Sequence, residues 1–285
     1  MKIYEISILM HHRLDALYGS GEVEAITRMV MDEVLHYSPV DTVLRAQNDA
    51  PDFFDGKLAG IISRLEKYEP IQHILGVCTF HGHRFTVTPA TLVPRPETEQ
   101  LVDLVIDENR DSEDLRVMDV GTGSGCIAIS LARALKFAQV SAIDISDEAL
   151  RVARDNAQAL KARVDFRQAD VLTMPLWPAR SLDIVVSNPP YVCQSERAQM
   201  EHNVLDYEPA AALFVPDDDP LVFYRSIVRQ AAHALDTGGR VYFEVNRRFA
   251  NEVAHLLSSH GFIDATVHLD TFGNARFVTA HISQD

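Results

Sequence analysis

The chain has 285 residues, with 26 Lys and Arg against 41 Asp and Glu and a formal net charge of −15. That length suffices for one large or two modest domains, while the acidity, with no basic run beyond Arg247-Arg248, disfavours a protein that grips nucleic acid by its phosphates and suits a basic protein partner or a cationic small molecule. No apolar stretch reaches membrane-spanning length and Met1-Lys2-Ile3-Tyr4-Glu5 lacks the build of a signal peptide, so no membrane partner and a cytoplasmic location are expected.

The three cysteines, Cys78, Cys126 and Cys193, form no CxxC pair, and the 12 histidines show no HExxH spacing. Neither a disulfide framework nor a metal site is expected.

Apolar spacing at Val23, Ile26, Val30 and Val34, repeated at Leu58, Ile61 and Leu65 before Pro70, predicts a helical bundle in the first part. Between Gly76 and Thr88 the pattern alternates: Phe80, Phe85 and Val87 flank His81-Gly82-His83 and interleave with Arg84, Thr86 and Thr88, a hairpin signature. The expected division is a helical domain at 1–75, a β-hairpin linker at 76–90 and an α/β domain at 91–285.

From Leu101 onward strands and helices alternate, which argues for a parallel sheet covered on both faces. Pro96, Glu97 and Glu99 suit the first turn of a helix whose apolar face is Leu101, Leu104 and Val105. The strand Arg116–Val120 enters Gly121-Thr122-Gly123-Ser124-Gly125, and a helix follows from Cys126 to about Lys136. A strand at Val140–Ile143 ends at Asp144, with Ser146 capping the next helix, and a strand at Val164–Gln168 ends at Asp170. The run Leu182–Ser187 reads as a buried strand. A helix from Leu221 to Leu235 is expected to stop at Gly238-Gly239 before the strand Arg240–Val245, then a helix near Val253–Leu257 and two short strands near Val267 and Phe277 complete an antiparallel edge.

The strongest chemical signal is Asn188-Pro189-Pro190-Tyr191, where the strand Leu182–Ser187 presents its carboxyl end. Asn188 offers a side-chain carbonyl and Pro189, lacking an N–H, only its backbone carbonyl. Two acceptors side by side match the two hydrogens of a planar NH2 group, and Tyr191 adds an aromatic face for that group to lie against. Glycines at 121, 123 and 125 let a ligand approach the backbone after a strand, and Asp144 at the next strand end is placed to accept from the hydroxyls of a ribose. The third glycine falls one residue early for a dinucleotide fingerprint, which disfavours a nicotinamide oxidoreductase. Trp177 is expected to serve packing, Pro94-Arg95-Pro96 to be a rigid helix entrance or a segment near the substrate, and Glu208-Pro209 to be a plain loop.

The form beginning at Asp119, with Gly121, Gly123 and Gly125, resembles the S-adenosylmethionine loop of class I methyltransferases. In that resemblance Asp119 and the loop, including Thr122 and Ser124, face the methionine part of the cofactor, Asp144 the ribose, and Asp170 with Val171 the adenine. Nearly the whole chain resembles the glutamine N5-methyltransferases of class I peptide chain release factors, the HemK or PrmC type. The residues that carry this are Ile71 to Gly76, Phe80 to Phe85, Leu92 to Glu99, the glycine loop, Ser187 to Val192, Tyr207-Glu208-Pro209, and Asp270 with Gly273 and Arg276.

The resemblance implies a Rossmann-like class I methyltransferase sheet behind a small helical substrate-recognition domain, S-adenosyl-L-methionine as cofactor, and methylation of the Gln in the Gly-Gly-Gln loop of a release factor. Asn188, Pro189 and Tyr191 would then be the catalytic residues, with Pro190 also lining the substrate site. A paralogous family that modifies a ribosomal-protein glutamine shares the NPPY segment, but Pro94-Arg95-Pro96-Glu97-Thr98-Glu99 favours the release-factor branch. The alternatives are an enzyme that methylates an exocyclic amino group of DNA or RNA, which presents the same two hydrogens, and a non-catalytic protein that keeps the nucleoside pocket, against which the intact Asn188 argues.

Overall fold

The computed structural model describes residues 1–283. The chain forms two compact units, one of Met1–Gly76 with Glu201–Tyr207 and one of Val77–Met200 with the chain from Glu208 onward.

The first unit is helical: α1 (Ile3–Tyr18), α2 (Ser20–Leu35), α3 (Pro39–Leu44), α4 (Asp52–Leu65) and α5 (Ile71–Leu75). The three-and-four spacing of Val23, Ile26, Val30 and Val34 gives α2 one apolar side, which meets Ile6, Met10 and Leu14 of α1 and Phe54, Leu58 and Ile61 of α4 in a closed core. Ser38 caps α3 by accepting from the backbone N–H of Asp41 at 3.1 Å, with Pro39 in the first turn. The α4 helix stops at Leu65, and Tyr68, at φ 63°, turns the chain out of the helical path. Pro70 therefore starts α5 rather than ending α4.

The second unit opens with the hairpin β1 (Val77–Phe80) and β2 (His83–Thr86), whose turn residues His81 and Gly82 both adopt positive φ, the requirement of a two-residue hairpin turn. The rings of Phe80 and Phe85 meet edge to face at 5.9 Å and enter the core beneath α6 (Pro96–Glu108), so the hairpin is built into this unit.

The remaining strands in chain order are β3 (Arg116–Val120), β4 (Gln139–Asp144), β5 (Val164–Gln168), β6 (Leu182–Ser187), the two-residue β7 (Val192–Cys193) and β8 (Phe214–Val215), β9 (Leu235–Glu244), β10 (Phe262–Leu269) and β11 (Ala275–Ile282). Seven form one sheet in the order β10-β11-β9-β6-β3-β4-β5. The five from β9 to β5 run parallel, and β11 and β10 add antiparallel at the edge.

The period-two alternation of strands divides the sheet's side chains between two cores. Val185, Val241 and Phe243 join one with Ile227 and Val228 of the helix Val222–Ala234, and Ile184, Val186 and Tyr242 join the other with α6 and α7 (Cys126–Ala134). The sole tryptophan, Trp177, is buried in the first of these.

Gly238-Gly239 does not end a helix. The helix stops at Ala234, Leu235 is already extended, and the glycines lie within β9 where the register with β6 slips between Leu182 and Ile184. Gly238, at φ 75°, supplies the backbone turn that an irregular strand needs. The two edge strands are also longer than expected, eight residues each. No helix among the described residues is long and apolar enough to cross a membrane.

Candidate functional site

In this topology β3 has β4 on one side and β6 on the other, so the sheet order reverses at β3 and opens a crevice at its carboxyl edge. The registers set the chemistry out along that edge. Val120 of β3 lies level with Ile143 of β4 and Ser187 of β6, and Ser187 lies level with Phe243 of β9. One residue further on each strand gives Gly121, Asp144, Asn188 and Glu244 side by side, with neighbouring strands about 4.8 Å apart. On β11, Phe277 is level with Glu244, and the carbonyl of Arg276, the residue before it, accepts from the Val245 N–H at 2.8 Å.

The glycine loop is held from below. Gly121 and Thr122 both donate their backbone N–H to the carbonyl of Ile143, and Ser187 closes the other side through a 2.6 Å hydrogen bond from Oγ to the carbonyl of Val120. Asn156 of α8 (Asp147–Ala159) donates to the carbonyl of Ser124 at 2.9 Å while pairing with both backbone groups of Thr86.

The three glycines divide their duties. Gly121 and Gly123 take positive φ, and a Cβ at either would meet nothing within 4 Å, so their surface is open to a ligand. At Gly125 a Cβ would lie 2.9 Å from Ile129 Cδ1 and 3.1 Å from Ala153 Cβ. That glycine serves helix packing.

Asp119 is fully buried. Its Oδ2 accepts from the Thr122 hydroxyl at 2.6 Å and from the Ala128 N–H at 3.2 Å, whereas Oδ1 has no partner among the described residues. Burial pushes its carboxyl up to about 7, opposed by those two hydrogen bonds. A buried carboxylate oxygen left unpaired beside an open glycine loop suits a cationic group, whose opposite charge offsets the cost of burying it. The site thus fits a cofactor with an ammonium group.

Asp144 accepts from the N–H of Gly123 through Oδ2 at 2.8 Å and from that of Ser146 through Oδ1 at 2.9 Å. Burial raises its pKa, and those backbone bonds oppose the rise. Each oxygen keeps a second lone pair, so a ribose can still be received. Asp170 closes a turn by accepting from the Leu172 N–H and the Thr173 hydroxyl, and buried Val171 accepts from the Ser226 hydroxyl at 2.6 Å.

Asn188 donates through Nδ2 to the hydroxyl oxygen of Thr98 at 3.3 Å, and Thr98 donates to Glu244 Oε2 at 2.8 Å. The Tyr191 hydroxyl donates to Glu244 Oε1 at 3.2 Å. Neither Asn188 Oδ1 nor the Pro189 carbonyl accepts from a donor among the described residues, which leaves two acceptors at the head of β6. Burial, and then Glu244, push the Tyr191 hydroxyl well above its usual range, so it remains a neutral donor. Glu244 itself is buried and its pKa is raised, with the Thr98 hydroxyl and nearby Arg276 opposing the rise. The loop beyond Tyr191 is fastened by Asn246, which donates to the Tyr191 carbonyl at 3.1 Å and to Glu196 at 3.0 Å.

Thr98, Glu244, Asn246 and Asn156 are absent from the sequence-based site. A signal for Glu244 existed: it is the acidic end of the apolar run Val241-Tyr242-Phe243. Glu208 is also not part of a plain loop. Its side chain is buried and ion-paired with Arg95, which ties the Pro94-Arg95-Pro96 segment to it.

Residues 111–261 match a family model described as a methyltransferase domain. Across 97% of this chain and 99% of the relative, the sequence is 43% identical to a release factor glutamine methyltransferase of Bacteroides thetaiotaomicron. It is 39% identical to one of Flavobacterium psychrophilum over 93% of this chain and 94% of that protein. Among solved structures, a methyltransferase from Pyrococcus furiosus has a TM-score of 0.52 over 79% of this chain and 99% of its own, at 14% identity, which is a likeness of fold.

Proposed function

This chain belongs to the family of release factor glutamine methyltransferases, and on that premise we propose that it transfers a methyl group from S-adenosyl-L-methionine to the side-chain amide nitrogen of the glutamine in the Gly-Gly-Gln loop of a class I release factor. The observation that carries the reading is the pair of acceptors without a donor among the described residues, Asn188 Oδ1 and the Pro189 carbonyl, one strand away from the glycine loop.

When bound, the cofactor supplies an electrophilic methyl on a sulfonium. Asp119 and the loop Gly121 to Gly125 would hold its methionine part, Asp144 the ribose, and Asp170 with Val171 the adenine. The glutamine amide nitrogen is a poor nucleophile because its lone pair is delocalised into its own carbonyl. Asn188 and Pro189 counter this in two ways: each accepts one N–H, which orients the nitrogen, and each stabilises the positive charge that develops on it. The ring of Tyr191 bounds the flat amide, with its hydroxyl held by Glu244. As the nitrogen bonds to the methyl, whose former C–S electron pair stays with the sulfur, Asn188 and Pro189 would keep hold of its two protons, and one of them would then pass to solvent. No strong base is needed, because that proton leaves a cationic nitrogen.

The reading is tested by incubating the protein with labelled S-adenosylmethionine and, separately, an intact release factor, a short Gly-Gly-Gln peptide, duplex DNA and RNA. Label on the release factor, little on the peptide and none on the nucleic acids is expected, since part of the binding energy comes from contacts beyond the reacting side chain. Label on nucleic acid with none on the release factor would transfer the assignment to an exocyclic amine.

A further inference from the structure

The Asn188 amide is nearly symmetric in shape. Rotated by half a turn, it would present two N–H donors where the proposed reaction needs an acceptor, and would repel the substrate NH2. Something must fix which end faces the crevice.

Glu244 is buried, and when ionised its carboxylate only accepts. Both of its oxygens are engaged, Oε1 by the Tyr191 hydroxyl and Oε2 by the Thr98 hydroxyl. Thr98 has a single hydroxyl proton and spends it on Glu244, so toward Asn188 it can only accept. It therefore selects the NH2 end of the Asn188 amide, seen at 3.3 Å, and leaves Oδ1 pointing elsewhere. The charge of Arg276, the residue beside Glu244's strand partner Phe277, opposes the rise in the Glu244 pKa, and the Arg276 guanidinium donates to Asp270 at 3.3 Å. Thr98 is 3% exposed and sits in the first turn of α6, so its hydroxyl has little freedom to turn away.

We infer that Thr98, oriented by Glu244, is a positioning residue that fixes the rotation of the Asn188 amide so that its oxygen, not its NH2, meets the substrate nitrogen. This rests on the proposed glutamine methylation through Asn188. It assigns a function to the Thr98–Glu244 contact, whose partners are 146 residues apart in the chain.

The test compares wild type with Thr98→Val, Thr98→Ser, Asn188→Ala and the double variant Thr98→Val/Asn188→Ala. Each is measured in single turnover with saturating S-adenosylmethionine and an intact release factor, after thermal melting shows it folded. Thr98→Val keeps the shape but loses the acceptor. It should lower the transfer rate by roughly tenfold or more with the KM for the release factor nearly unchanged, as expected for a group felt in the transition state. Thr98→Ser should restore the rate to within about threefold. In the Asn188→Ala background Thr98→Val should cost nothing further, because residues that act through one another are non-additive.

A wild-type rate in Thr98→Val, or a penalty that simply multiplies in the double variant, would overturn the inference while leaving the function in place. A wild-type rate in Asn188→Ala would overturn the functional reading, and the inference with it.

Discussion

Arg95 places its guanidinium 2.5 Å from the carboxylate of Glu208, 113 residues further along the chain. The Glu208 side chain is 1% exposed and that of Arg95 36%, so the acid depends on the base for charge compensation far more than the reverse. Arg95→Ala should destabilise the fold by about 3 kcal/mol, the low end for breaking a buried pair because Arg95 itself reaches solvent. Adding Glu208→Gln should recover most of that loss.

The sign of the pH dependence follows. Burial already raises the Glu208 pKa, and Arg95 is what opposes the rise. Without Arg95 the native state holds a proton on Glu208 more tightly than the unfolded chain does, so stability falls as pH rises from the ordinary carboxylate range. Urea midpoints of Arg95→Ala should therefore be closer to wild type at pH 5 than at pH 8; a gap that widens on acidification would contradict this.

On the proposed contact with the methionine part of the cofactor, Asp119 gives S-adenosylmethionine binding its own pH dependence. Its carboxyl is pushed up to about 7 by burial, and a cationic methionine group beside it favours the ionised form. Binding must then release a proton below pH 7. By linkage, affinity for S-adenosylmethionine should rise about tenfold from pH 6 to pH 8 and level off above. Calorimetry in two buffers of different ionisation enthalpy checks the proton release, and Asp119→Asn should flatten the profile.

The glycines separate binding from stability. Gly123→Val and Asp144→Ala should each weaken S-adenosylmethionine binding, the latter by about 1–3 kcal/mol, the range for hydrogen bonds to a charged group. Gly125→Ala should act on the fold: its Cβ would press on Ile129 and Ala153 at a positive φ of 82°, a cost of about 1–3 kcal/mol from overpacking. A melting temperature that falls with Gly125→Ala while its S-adenosylmethionine affinity per folded molecule stays near wild type is the expected pattern.

Asn188→Ala should lower the rate of methyl transfer by on the order of a hundredfold, the usual loss for one positioned polar group. S-adenosylmethionine affinity should change little, since Asp119, Asp144 and the loop remain. A variant that melts earlier yet turns over normally per folded molecule would mean that Asn188 only caps the end of β6.

Much of the architecture was legible because its determinants are local. The alternation of strand and helix, the cap at Ser146 and the hairpin turn at His81-Gly82 each depend on residues a few positions apart, and each forms as the spacing dictates. The strand-end residues Gly121, Asp144 and Asn188 were also readable, since a parallel sheet delivers all its carboxyl ends to one edge. What escaped depends on pairing across the chain. Nothing near Thr98 announces that Glu244 will receive its proton, and nothing near Glu208 announces Arg95. Gly238-Gly239 misled for a related reason: the pair is a sound helix stop by composition, and only the slip of β9 against β6 places it inside a strand.

The most direct measurement is peptide mapping by mass spectrometry of a release factor after incubation with this protein and S-adenosylmethionine, beside a substrate whose Gly-Gly-Gln glutamine is changed to glutamate. The account predicts one added methyl on the side-chain nitrogen of that glutamine and none on the altered substrate. A methyl group found on another residue, or on both substrates alike, would contradict it.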